Sequence, residues 1–167
     1  NDAFKQLAGD LEYIRHIHQA PEIPQNISTS TINIASDGTV QAWFAGESIF
    51  LYTPATHVHF ASNSSQLLAG MTNLEDIGPL AKWDMSNATT LEGFFKDDAA
   101  LTTLNLTAWI TKNVSNITDF CSGCSSLTAI YADSNNWVMS NVGDYRKGLN
   151  VFAGCSKLDN FDASVVD

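Results

Sequence analysis

Three cysteines, four histidines and a scatter of carboxylates are the groups in this 167-residue sequence that could carry chemistry. Cys121 and Cys124 form a Cys-x-x-Cys pair, with Cys155 further on. A structural zinc site takes four ligands, usually from two such pairs, and a second pair is missing. A redox pair of this kind belongs in a βαβ setting that the sequence does not offer. The cysteines therefore read as thiols packed into the interior. His57 and His59 alternate in a short strand-like run and share one face, which makes them the best metal-ligating pair. Two histidines alone are an incomplete set, so solvated surface is expected, with no metal and no cofactor. His16 and His18 fall in a segment that reads as helix, where they diverge. Asp97 and Asp98 read as solvated carboxylates and Asp84 as a turn acceptor. Calcium-loop, G-x-S-x-G and phosphate-loop patterns are lacking, so no catalytic residue is assigned.

The elements that must position these groups come from a repeat. Leu67 to Ile77, Phe94 to Leu104, Ile117 to Ile130 and Val151 to Phe161 share one pattern, with Leu74, Leu101, Leu127 and Leu158 in register at separations of 27, 26 and 31. A second signature keeps phase with it: Trp83-Asp84-Met85-Ser86-Asn87, Trp109-Ile110-Thr111-Lys112-Asn113 and Trp137-Val138-Met139-Ser140-Asn141. Within one copy Leu101, Leu104 and Leu106 follow leucine-rich spacing, with Leu104 and Leu106 on one strand face. Leu91, Phe94 and Phe95 give a helical stripe of one or two turns before the strand. Such units cannot bury their own apolar faces and must stack. The stacked unit predicts an α/β repeat solenoid, a leucine-rich-repeat-like coil with a parallel sheet. Leu74, Leu101, Leu127 and Leu158 form one column, Trp83, Trp109 and Trp137 another, and the turn asparagines Asn87, Asn113 and Asn141 a third, expected to be buried with their amides satisfying backbone groups.

These motifs resemble the BspA-like leucine-rich repeat of bacterial surface proteins, in the subtype first described as a mycoplasma repeat. The likeness is best at Trp83-Asp84-Met85-Ser86-Asn87-Ala88-Thr89 and Phe152-Ala153-Gly154-Cys155-Ser156-Lys157-Leu158, and covers about residues 64 to 167. Asp98 departs from it by standing where the second copy should have Cys; Cys121 stands where the third should have an aromatic; and extra residues fall near 144–150. The resemblance implies a right-handed coil, a secreted or surface-attached bacterial protein linked with adhesion, and no catalytic residues. It also implies that Cys124 and Cys155, one copy apart and within disulfide range, stay reduced as core fillers. Sequons such as Asn87-Ala-Thr and Asn113-Val-Ser are then a by-product of an Asn- and Thr-rich repeat.

The domain reading is 1–63 as an α+β N-terminal cap and 64–167 as about four repeats, in one structural domain. Residues 3 to 19 are expected to form an amphipathic helix with Phe4, Leu7, Leu11, Ile14 and His18 as its stripe, Asp2 as N-cap and Pro21 and Pro24 as the stop. It would cover the open edge of the first copy. Thr31 to Ile34, Val40 to Phe44, Ile49 to Tyr52 and His57 to Phe60 read as strands, the middle two joined as a hairpin. A start at Asn1 in place of Met points to a mature or trimmed chain. The C-terminus is expected to be closed by Val165 and Val166, or to continue in the native protein.

The net charge of −10 argues against nucleic acid and anionic membranes. No segment is long enough to span a bilayer. What remains is the outer face of the sheet: Glu75, Asp76, Thr102, Thr103, Asn105, Thr128, Tyr131, Asp159 and Asp162. It reads either as a plain solvated face or as a partner surface, with Tyr131 the residue able to anchor an interface. The functional expectation is a monomeric, non-enzymatic, extracellular or surface module that contacts a host or neighbouring-cell protein or glycan. The alternatives are a passive spacer in a larger surface protein and a surface hydrolase.

Overall fold

The structure, a computed structural model, describes residues 2–158. Four short strands form near the start of the chain: β1 (His16–Gln19), in the segment expected to be helix, β2 (Ser30–Ile32), β3 (Val40–Ala45) and β4 (Ser48–Tyr52). His57 to Phe60, expected as a strand, makes only isolated bridges, from Phe60 to Ala35 and from His59 to Asp84. They form one mixed sheet in the order β1-β4-β3-β2. β3 and β4 are the expected hairpin, with Gly46 at positive φ in its turn. β1 lies parallel to β4, with Ile17 opposite Ile49. Ile17, Ile32, Val40, Ala42, Ile49 and Leu51 fill the inner face.

The helix expected over 3 to 19 is much shorter. Only α1 (Ala3–Ala8) is helical. Gly9 ends it at φ 72°, donating its N–H to the Lys5 carbonyl, and Asp2 makes no side-chain cap. Ile14 and Ile17, which fitted the stripe, are pulled into the sheet's core instead. Burial beside β4 outweighs local helix preference there. The cap still lies against the first copy, because Glu75 N–H donates to the Arg15 carbonyl. Gly78, at φ +53°, passes so close that an added Cβ would sit 1.9 Å from the Ile17 carbonyl oxygen.

The structure overturns the α/β repeat solenoid and its leucine-rich-repeat-like right-handed coil. Among the described residues there is no solenoid and no closed coil. Among the described residues the parallel sheet of the copies is confined to two strands, β5 (Thr103–Asn105) and β6 (Ala129–Tyr131), with isolated parallel bridges from Asn63 to Thr90 and from Thr90 to Asn116. No α-helix follows α1 among the described residues; 3-10 turns occur at Gly78–Lys82 and Tyr145–Gly148. The rest of the described region is turns and irregular backbone.

The backbone explains why the helical stripe fails. Positive φ recurs at Gln66, Gly93, Asp119 and Asn150, and again at Gly70, Asp97, Gly123 and Gly154. Each copy thus carries two left-handed residues four apart, and an α-helix of L-residues cannot run through them. Glycine, aspartate and asparagine tolerate that region best, and seven of these eight positions hold one of them. The amides divide accordingly. Leu91, Gly93, Phe95 and Asp97 donate to the carbonyls of Asn116, Thr118, Phe120 and Ser122 in the next copy. Phe94, Lys96 and Asp98 donate to carbonyls three residues back in their own copy. The same alternation joins Gln66, Leu68 and Gly70 to Glu92, Phe94 and Lys96, and Ile117, Asp119, Cys121 and Gly123 to Lys147, Leu149, Val151 and Ala153. Nearly every backbone donor is thereby paired without a helix.

One apolar cluster runs from Phe4 in the cap to Val151. Leu74, Leu101 and Leu127 are fully buried in it and Leu158 packs against it. Trp109 sits at its centre, edge-on to Phe60 and Phe94 and stacked on Phe95 with ring centroids 5.9 Å apart. Its indole N–H donates to the Leu80 carbonyl at 3.1 Å. Asn113 and Asn141 are exposed, not buried, yet their amides donate to the carbonyls of Ser86 and Lys112 in the preceding copy. Asn87 bonds the Ser36 hydroxyl.

Candidate functional site

β5 and β6 position most of the described outer-face residues. Their register pairs Thr103 with Ala129, Leu104 with Ile130 and Asn105 with Tyr131. Alternation turns Leu104 into the core and brings Thr103, Asn105 and Tyr131 onto one outer face. Thr102 and Thr128 precede them and are exposed; both the N–H and the hydroxyl of Thr128 donate to the Thr102 carbonyl. Tyr131 is 57% exposed. Asn105 is partly committed, since its carbonyl oxygen accepts from the Thr107 N–H and hydroxyl. Glu75 and Asp76 are exposed but engaged with the cap: Arg15 reaches Glu75 at 2.7 Å and His16 reaches Asp76 at 3.0 Å. Asp159 and Asp162 lie outside the described residues, as do Val165 and Val166.

A second constellation lies where the cap meets the first Trp-Asp pair. His57, His59 and Asp84 each offer one ligand atom, all within 4.8 Å of one another. Asp84 Oδ2 stands 3.2 Å from His57 Nε2 and 3.3 Å from His59 Nε2. The other ring nitrogen of His59 meets Asp37 Oδ2 at 2.7 Å, and Asp37 Oδ1 accepts the His59 N–H. Asp84 Oδ1 accepts from the Ser86 N–H at 2.7 Å, in the turn role expected of it. Burial opposes ionisation of Asp84, but the Ser86 and histidine contacts hold its carboxyl below the usual value. Asp37 is likewise held down, with His59 outweighing burial, and Asp37 raises His59. A reading of the histidines as an isolated pair missed both carboxylates. The repeat length held the signal: Asp84 follows His57 by 27 residues, one period, and so lies beside it.

The other groups fall out differently. Cys121 and Cys124 are buried, Cys155 is half-buried, and all three are free thiols. Cys124 donates to the Phe95 carbonyl and Cys155 to the Cys121 carbonyl, each at 3.0 Å. Burial pushes the Cys121 thiol up, and thiol–thiol contacts push Cys124 and Cys155 up, so none is poised as a nucleophile. Asp98, expected in solvent, is fully buried. It occupies the cysteine position of its copy, with Oδ1 accepting from the Met71 N–H at 3.0 Å and Oδ2 without a partner. Burial drives its pKa well above the ordinary carboxylate value. His16 and His18 lie on β1 and so share a side, but His18 packs on Phe50. An open cleft of about 380 Å³ between α1 and β2 is lined by Asp2, Gln6, Ser30, Thr31, Asn33 and apolar neighbours, and holds no pair of groups suited to acid–base chemistry.

No described helix is long and apolar enough to cross a membrane. No curated protein and no solved structure matches the chain. A family model described as "Mycoplasma protein of unknown function, DUF285" matches residues 56–164. That span takes in the histidine pair, the Trp-Asp signatures and every in-phase copy, and as it covers well over half of the sequence, the chain belongs to this bacterial family.

Proposed function

We propose that the chain is a non-enzymatic contact module of a secreted or surface-attached bacterial protein, engaging a host or neighbouring-cell protein or glycan through the β5–β6 face. The observation that carries this reading is Tyr131, a large side chain left 57% exposed on a short sheet and flanked by Thr103, Asn105 and Thr128. Exposed tyrosine amid hydroxyls and amides is the composition of adaptable recognition surfaces. The resemblance of the Trp-Asp and Gly-Cys motifs to BspA-like repeats supports a surface location and an adhesive role. The engagement of Glu75 and Asp76 with Arg15 and His16 favours a second reading, a spacer whose outer face serves its own folding.

Binding of the untagged chain to immobilised extracellular-matrix extract separates the two. Tyr131→Ala should weaken retention by about tenfold or more, as loss of an interface anchor does. Because Tyr131 is exposed, its truncation should shift stability by only about 0.5 kcal/mol or less. Unchanged retention by the folded variant would remove this face from the account.

A further inference from the structure

We propose that His57, His59 and Asp84 form a binding site for a divalent transition-metal ion of the zinc class, with Asp37 holding His59 in the ligating orientation. Nothing in the contact-module reading requires this site, and the two stand or fall separately.

Spacing gives the first argument. Zinc bonded tetrahedrally at about 2.0–2.1 Å holds neighbouring ligand atoms about 3.3 Å apart. Asp84 Oδ2 lies 3.2 Å from His57 Nε2 and 3.3 Å from His59 Nε2. Two edges of a coordination tetrahedron are therefore already in place.

The second argument concerns the proton on His59. Its Nδ1 lies 2.7 Å from the Asp37 carboxylate, so in the neutral ring that nitrogen carries the hydrogen and donates it. Nε2 then presents a lone pair to the carboxylate oxygen of Asp84 at 3.3 Å. Two acceptors facing each other in this way repel unless a proton or a metal ion lies between them, so the gap is a place that a metal ion can take from the proton. A carboxylate behind the histidine is also the usual support of a metal-bound imidazole, fixing its tautomer and raising its basicity.

Rigidity is the third. His59 and Asp84 are joined by a parallel bridge, and the N–H of Asp84 donates to Val58 while that of Phe60 donates to Asp84. Val58, Phe60, Trp83 and Met85, which flank the ligands, are all buried. With Asp84 Oδ1 tied to Ser86, Oδ2 is aimed at the histidines. The ligands thus sit on a packed backbone, as a precise site needs.

Chemistry selects the ion. Two imidazoles and one carboxylate suit zinc, cobalt, nickel or copper, whereas calcium and magnesium take oxygen ligands. No lysine or arginine pairs with Asp37 or Asp84 among the described residues. The other histidine pair differs here, because Arg15 takes Glu75 beside His16. His57 is well exposed, so a fourth position opens to solvent, for water or for a group from outside.

Isothermal titration of the untagged full chain with zinc chloride in metal-free buffer tests the proposal. One saturable equivalent is expected. His57→Ala, His59→Ala and Asp84→Asn should each lower affinity at least about 100-fold, and Asp37→Asn by about 10–100-fold. The double variant His16→Ala/His18→Ala should bind as the parent does. The cobalt(II)-loaded chain should show the visible absorption of a low-coordinate nitrogen–oxygen site, lost in His59→Ala. His57 is exposed, so its variant keeps the fold and stays informative if Asp84→Asn unfolds. Absence of saturable zinc binding by the parent would overturn the proposal, as would undiminished binding by the His57 and His59 variants.

Discussion

Replacing Asp98 by Cys gives the second copy the residue that the third and fourth carry at this position, and the structure says what should follow. Cys124 donates to the Phe95 carbonyl and Cys155 to the Cys121 carbonyl. One copy earlier the same register faces a thiol at 98 toward the Leu68 carbonyl. Asp98 instead buries a carboxyl with Oδ2 unpaired, which costs about 1–3 kcal/mol. The substitution gives up the bond from Met71 N–H to Oδ1, worth about 0.5–1.5 kcal/mol. Met71 N–H keeps its 3.2 Å contact with Leu68, which softens that loss. The variant should therefore be more stable by about 1 kcal/mol at low pH, or about 2–4 °C in Tm for a chain of this size. Burial raises the folded-state pKa of Asp98 above its ordinary 3.8. The protonated form's contribution is thus fully present below 3.8 and is lost as pH rises through the folded value. In that interval the parent should lose about 1.4 kcal/mol per pH unit relative to the variant. Urea unfolding of both proteins at pH 4, 5.5 and 7, followed by tryptophan fluorescence, measures the difference directly. A difference that stays flat across this range, or a parent more stable than the variant at pH 7, would refute the reasoning.

Two further outcomes are expected. Gly78→Ala forces a Cβ against the Ile17 backbone at φ +53°, and should cost about 2–5 kcal/mol in chemical unfolding by adding left-handed strain to overpacking; a cost under about 1 kcal/mol would mean that the cap and the first copy can part easily. Trp109→Phe breaks the indole bond to Leu80, whereas Trp83→Phe removes an indole N–H that has no partner, so the first should cost about 1–2 kcal/mol more than the second in the same assay.

The sequence was informative where one period or one alternation governed. Leu74, Leu101 and Leu127 were readable as core from their phase, and the β3–β4 hairpin from two alternating runs around Gly46. The stripe Leu91, Phe94, Phe95 misled because turns repeated every few residues bury the same positions that a helix would. The distinguishing marks were there, in Gly93 with Asp97 and Asp119 with Gly123, residues that suit positive φ at a spacing no helix allows. At the N-terminus, Ile14 and Ile17 fitted a helical face and a strand equally, and only pairing with β4 decided. Asp98 was misplaced because its charge was weighed above its place in the repeat. The carboxylates beside His59 come from residues 22 and 25 positions away, which local spacing does not register.

The alternating use of amides sets a rule of parity for changes in chain length. From Leu91 to Asp97 every second donor serves the neighbouring copy and the intervening ones close turns. A single inserted residue within such a run would exchange those roles for every residue after it, so that Phe94 would take the place in the ladder that Phe95 holds. Paired insertions, or insertions outside the run, would leave the assignment untouched. The surplus residues between the third and fourth copies illustrate the permitted case: they are taken up around the 3-10 turn Tyr145–Gly148, and the donors Asp119, Cys121 and Gly123 still find their partners beyond it.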